Sequence, residues 1–176
     1  MNPIVNPSER PAADEYFEYY NTYIKLVPDG QCLTLLDSQI DFLRQYFSNV
    51  SDEAASVTHP PYTWTIKQVV GHLIDTERIF AERLHHFAFG DLQPLPGMDQ
   101  NVYIDNCDFQ NIKLADLVDE MIQCRRANIL MIKRTKPESW NNRGVASDHL
   151  VSARALVWML VGHVIHHMTI VQKRLS

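Results

Sequence analysis

Gly162-His163-Val164-Ile165-His166-His167 sits inside an apolar run that reads as one helix over 156–174. Three histidines within five positions suit such a helix poorly unless something holds them. Residues four apart on an α-helix share a face, about 5–6 Å apart at Cβ, so His163 and His167 point the same way. That face otherwise carries Leu156, Met159, Leu160, Ile170 and Val171, which aims the pair at a core, where imidazoles need partners. Two imidazole nitrogens so placed can converge on a metal ion at about 2.0–2.1 Å. His166 competes with His167, because i and i+3 are also helical neighbours, but its face through Gly162, Thr169 and Lys173 reads as a flank. The plainer alternative is a pair of core histidines donating to backbone carbonyls, with His166 at the surface. A third ligand from elsewhere in the chain would decide between the two.

A second long helix is announced by Thr65-Ile66-Lys67-Gln68, a capping box with Trp64 placed to pack on Val69. Its apolar positions Ile66, Val69, Val70, Leu73, Phe80, Ala81, Leu84 and Phe87 continue to about Phe89. His72 stands one position off that stripe, on a polar seam with Gln68, Asp75, Thr76, Ile79 and Arg83. Such a seam is also what the solvated edge of an amphipathic helix looks like. In a four-helix bundle, however, sites are assembled from side chains on facing helices. One His from here and the H-x-x-x-H of the last helix supply three neutral ligands and leave coordination positions open, the arrangement of a catalytic metal.

Two further helices complete an all-α bundle. Over 31–48, Leu33, Leu36, Ile40, Leu43 and Phe47 alternate by three and four, a core-facing stripe. Leu114–Lys133 carries Leu114, Leu117, Val118, Met121, Ile129 and Ile132 on one side, with Arg125 and Asn128 intruding. An inward Arg125 would suit an anionic substrate group; snorkelling at the bundle edge is the favoured reading. Residues 1–11, with three prolines, form an extended arm, and 12–26, rich in Tyr and Phe, read as a short helix packed outside the bundle. The connections over 49–63 and 135–151 are polar, and Ser152 is a candidate N-cap for the last helix. The segment 90–103, held non-helical by Pro94, Pro96 and Gly97, is the kind of ordered loop that covers a site. Connections this long allow a bundle that is not simply up and down.

The chain has 176 residues, 45 % of them hydrophobic and 21 % charged, with a net charge of −5. That describes a single globular domain over 1–176. Lys and Arg are scattered, without the basic stripe that phosphate-backbone binding needs, so nucleic acid is not an expected partner. Cys32, Cys107 and Cys124 are odd in number and widely spaced, which argues against a disulfide framework or a thiolate zinc site. The N-terminus lacks the blocks of a signal peptide, and no apolar run reads as a membrane span of ~18 residues. The expectation is a cytoplasmic protein without a membrane partner.

Trp64-Thr65-Ile66-Lys67 followed by GHLIDTERIF, then GDLQPLPGMDQ and finally GHVIHHMTIVQKRL resemble, in that order, the DinB-like superfamily, and most of all its DinB_2 branch with the YfiT-like proteins. The resemblance implies a four-helix bundle with long crossover connections, often a homodimer, holding one divalent ion such as nickel or zinc by three histidines. Carried over by motif, those ligands are His72, His163 and His167. Many relatives have Gly-Gln soon after the second helix-four ligand, where this chain has Thr169-Ile170, with Gln172 further on.

Relatives of this kind are similar either to thiol S-transferases, which attack a small electrophile with a low-molecular-weight thiol, or to metal-dependent hydrolases. With no cysteine near any ligand, transfer would draw its sulfur from a cosubstrate, and transfer is the expected reaction. Asp75, at i+3 from His72, is the candidate for orienting that ligand or moving a proton. The expectation from another class is a non-catalytic metal-binding module that acts through partners in damage response.

Overall fold

Thr65 Oγ1 accepts from the Gln68 amide at 3.2 Å, and Gln68 Oε1 accepts from the Thr65 amide at 2.8 Å. This reciprocal cap starts a helix of 23 residues, Ile66–Ala88. In the computed structural model, which describes residues 6–176, it is α4 of the series α1 (Asn21–Ile24), α2 (Cys32–Phe47), α3 (Asp52–Ala55), α4, α5 (Gln100–Asp105), α6 (Leu114–Lys133) and α7 (Ala153–Arg174). Residues 1–5 of the expected extended arm lie outside the described residues. Ser152 caps α7, its Oγ accepting from the Ala155 amide at 3.0 Å.

The four long helices are α2, α4, α6 and α7. α4 packs along α6 and α7, and α2 packs along the same two helices. α2 and α4 therefore stand at opposite corners of the bundle, as do α6 and α7, so two of the three connections between consecutive long helices cross the bundle. On α2 the predicted stripe is buried at Leu36, Ile40, Leu43 and Phe47. α7 is the central element: every residue from Ala153 to Val164 is buried. It is the single helix among the described residues long and apolar enough to cross a membrane, although the sequence suggested none. Its apolar surface is instead taken up largely by α1, α2 and α4.

The connections hold more structure than their polar composition suggests. Between α6 and α7, where a plain connection over 135–151 was expected, a 3-10 turn at Pro137–Asn141 precedes a two-stranded antiparallel hairpin, β1 (Arg143–Ala146) and β2 (His149–Ser152), with Gly144 opposite Val151. Its two turn residues, Ser147 and Asp148, have φ of 53° and 64°, the primed geometry that matches strand twist. Gly144 is required by packing, because a Cβ there would lie 2.1 Å from the Phe87 ring. The segment before α2 also differs from the single short helix expected over 12–26: it makes two 3-10 turns, Ala13–Glu15 and Glu18–Tyr20, before α1.

Arg125 is the clearest departure. Rather than snorkelling at an edge, its side chain is 1 % exposed and sits at the centre of the bundle. Its Nε and Nη2 donate to the two carboxylate oxygens of Glu77 on α4 at 2.7 and 2.8 Å. Nη1 donates to Gln39 Oε1 on α2 at 2.6 Å, and Nη2 also donates to the Leu160 carbonyl on α7 at 2.9 Å. Asn128 donates to Glu77 Oε1 at 2.8 Å, and Gln39 donates to the Val161 carbonyl at 3.0 Å. A buried charge is tolerable only when paired and hydrogen-bonded, and here one network meets that need while touching all four long helices.

Candidate metal centre

The second turn of α4 and the middle of α7 lie against each other, which brings His72 to His163 and His167. The His72 and His163 Nε2 atoms are 3.1 Å apart. Ring centroids are 4.9 Å apart for His72 and His163, 4.8 Å for His72 and His167, and 4.5 Å for His163 and His167. One nitrogen from each ring can be chosen so that all three lie within 4.8 Å of one another. His72 and His163 are buried and His167 is half-buried. His166 stays outside this group, its ring packed edge-on against Tyr23 and His167.

Burial keeps the imidazoles neutral. It pushes His72 down to about 4 and His167 to about 3, with neighbouring histidines adding to the shift. His163 is lowered well below its ordinary value, again chiefly by burial and then by His167 and His72. Neutral rings keep a lone pair free for an ion. Two nitrogens each about 2.0–2.1 Å from one ion stand roughly 3 Å apart, which is the separation of the His72 and His163 Nε2 atoms. None of the three rings donates to a backbone carbonyl among the described residues; the contacts of the His72 nitrogens are His163 Nε2 and, at 3.5 Å from Nδ1, the Thr76 hydroxyl. The donor set and its spacing therefore fit a single divalent cation better than a pair of ordinary core histidines.

Aromatic rings enclose the group. Trp64 lies 5.3 Å from His72, while Tyr23 and Phe80 present edges to His163 at 5.0 and 5.8 Å. Beyond them opens a cleft of about 450 Å³ lined by His72, His163, Thr76, Tyr19, Tyr20, Tyr23, Arg83 and residues 98–101. On the other side of the triad a depression of about 410 Å³ reaches His167 past Trp64 and Arg174, and it shares Gln100 and Asn101 with the first. The 90–103 segment thus borders the site as expected, although its last four residues, expected to be non-helical, belong to α5; α6 contributes no residue to the cleft.

Asp75 is not brought to the triad. It lines a separate depression with Gly71, Tyr103 and Cys107, where burial raises its carboxyl pKa, Arg78 opposes the rise and Glu120 adds to it. The residue that meets His72 is Thr76, at i+4 on the same face. Thr76 and Arg83 both stood on the polar seam, but nothing in the sequence separated them from its solvated members. Trp64 and Tyr23 carried no signal for a place beside the imidazoles, since both read as ordinary packing residues.

Residues 35–171 match the DinB_2 family model, described as the DinB superfamily. Among solved structures the chain is similar to YfiT from Bacillus subtilis, with 14 % sequence identity and a TM-score of 0.73 over 96 % of this chain and 95 % of that one. YfiT is described as a probable metal-dependent hydrolase with an unusual four-helix bundle topology, and the likeness shows that this chain has that fold. No curated protein matches the chain significantly.

Proposed function

Because the chain belongs to the DinB superfamily and gathers three imidazoles, two of which, His72 and His163, line an open cleft, we propose that it is a divalent-metal-dependent hydrolase of small molecules. The observation that carries this reading is the approach of neutral His72, His163 and His167 nitrogens to within 4.8 Å of one another. Nickel and zinc both suit such nitrogen donors. An ion held there supplies Lewis acidity, enough to polarise a carbonyl or bring the pKa of water toward neutrality.

The chain's own residues do the rest. Three neutral donors subtract no charge from what they bind, and three ligands leave room for a substrate atom. Thr76 Oγ1, 3.5 Å from His72 Nδ1, is placed to help hold the plane of that ring. Trp64, Tyr23 and Phe80 pack against the imidazoles, leaving approach through the cleft at His72 and His163 and through the depression at His167.

Hydrolysis replaces thiol transfer as the favoured reaction, supported by the description of the structurally similar YfiT. Transfer remains the reading to be tested against it. No cysteine lines the cleft, and the buried Cys32 thiol is pushed up to about 12 by burial. A sulfur nucleophile would have to arrive with a cosubstrate.

Elemental analysis of protein purified without chelator should find about one nickel or zinc per chain, and almost none in a variant with all three histidines changed to alanine. Protein loaded with either ion should then hydrolyse members of a panel of esters and amides, and His163→Ala should abolish the rate. Equal metal content in both proteins would refute the centre. Turnover that appears only when a small thiol and an electrophile are supplied together would refute hydrolysis and favour transfer.

A further inference from the structure

Arg83 is a buried cation without a counter-ion. Its side chain belongs to a residue only 3 % exposed, yet it makes no ion pair among the described residues. The other two deeply buried arginines are each matched to a carboxylate, Arg125 to Glu77 and Arg154 to Glu15. Arg83 has two neutral acceptors, the Pro96 carbonyl at 2.9 Å and Ser147 Oγ at 2.8 Å, and both are served by Nη2. A guanidinium has five N–H donors, so the three on Nε and Nη1 are left over. Burying a charge is costly unless an opposite charge or full hydrogen bonding offsets it.

The unmatched charge faces the cleft of the candidate metal centre. Arg83 and His72 both line it, and they are eleven residues apart on α4. That is three turns to within about 20°, so the two side chains share a face across roughly 16 Å of axial rise. Helical side chains lean toward the N-terminus, which inclines the guanidinium toward the triad. Asp99, the acidic residue lining the same cleft, caps α5 with its Oδ1, which accepts from the Asn101 amide at 3.0 Å, and makes no ion pair with Arg83. Arg83 is also held rigidly: its two acceptors come from the 90–103 loop and the β1–β2 turn, which are joined by backbone hydrogen bonds between Leu95 and Val145 and between Ser147 and Leu95. Neither Nε nor Nη1 is sealed from solvent, so a charged fork fixed in place keeps donors open on one side, as recognition of an oxyanion requires.

We propose that Arg83 binds an anionic oxygen group, carboxylate or phosphate, on the substrate of this cleft. The substrate is then an elongated acid, with its anionic end at Arg83 and the bond to be cleaved at the triad. This inference rests on the hydrolase reading for the second half of that statement; the anion site itself does not need a metal.

The test is direct binding, by calorimetry or NMR titration, to the full chain as purified and again after chelation, so that no ion can hold the acid. The probes are 3-phenylpropionate, phenyl phosphate and the neutral 3-phenylpropionamide. Either acid should bind at least tenfold more tightly than the amide, with a preference that weakens as salt is raised, and the tighter acid identifies the oxyanion. Arg83→Gln should erase the preference and Arg83→Lys should restore part of it. Equal binding of acid and amide to the unaltered chain would overturn the proposal, whatever the variants do. So would an undiminished preference in a folded Arg83→Gln protein. Acid binding that persists in a chain that takes up no metal would keep the anion site and remove the hydrolase, while metal uptake without acid preference would do the reverse.

Discussion

Thr76 and Asp75 are adjacent on α4, yet only Thr76 has a contact with a ligand ring, its Oγ1 lying 3.5 Å from His72 Nδ1. Adjacent residues on a helix point about 100° apart, so a seam one position wide decides which of them meets the ring. Groups that orient a ligating histidine typically change metal affinity by 10–100-fold when removed. Because this contact is long, Thr76→Val should weaken nickel or zinc binding by about tenfold, with little change in melting temperature. Asp75→Asn should leave affinity unaltered. Titration of each protein with a chromophoric competitor for the metal checks both, and an Asp75→Asn effect equal to that of Thr76→Val would restore Asp75 to the site.

At the scale of elements, the N-terminal segment forms part of the wall of the site, and two of the contacts that fasten it can be tested singly. Gly162 on α7 is where α1 comes closest: a Cβ there would stand 2.3 Å from the Tyr23 carbonyl oxygen. Backbone cannot step aside as a side chain can, so Gly162→Ala should push α1 off α7. Overpacking of this kind costs about 1–3 kcal/mol, and the Tyr23 ring beside His163 should loosen with it. The expected readouts are a lower urea midpoint and faster amide exchange over 13–24.

The second fastening is Glu15, which accepts from the Ala12 amide at 2.8 Å, Ser152 Oγ at 2.7 Å and the Arg154 guanidinium at the start of α7. Burial acts to raise its pKa, but Arg154, the Ala12 amide and Ser152 together hold it below the ordinary value of 4.5. A depressed folded-state pKa contributes stability that is complete above the unfolded value and lost as pH falls through the folded one. Unfolding free energy should therefore decline below about pH 4.5. In Glu15→Gln the decline should be shallower, because the remaining carboxylates alone produce it; identical pH profiles for the two proteins would exclude this role.

For the molecule as a whole, the Arg125 network is the tie between the four long helices. α2 contributes Gln39, α4 Glu77, α6 Arg125 and Asn128, and α7 two backbone carbonyls one turn before His163. Removing one partner of a buried ion pair strands the other, at a cost of about 3–5 kcal/mol, whereas replacing both by apolar groups is often neutral or stabilising. Glu77→Gln should accordingly destabilise the protein by that amount in urea unfolding. Glu77→Leu combined with Arg125→Met should recover most of the loss. A double variant no more stable than the single one would show that the network is needed for packing rather than for charge balance.

Local features of the chain were sufficient for the four long helices. The Thr65 and Ser152 caps, the α2 stripe and both ends of α6 follow from short-range periodicity and capping, which act within a few residues. The His163 and His167 pair was legible for the same reason, since one helix turn sets its spacing. The joining of His72 to that pair rested on the general rule that bundle sites draw on facing helices and on resemblance to a family, because no local rule reaches across 91 positions. The hairpin escaped notice because four-residue strands carry almost no period and its turn, Ser147-Asp148, lacks the glycine that usually marks one. Tertiary structure alone decided the fates of the polar residues: Arg125 matched inside the core, Asp75 turned to another depression, Thr76 set beside a ligand, and Arg83 buried with no carboxylate. A charge in a sequence states only that a partner is needed, and long-range packing determines whether the chain itself provides one.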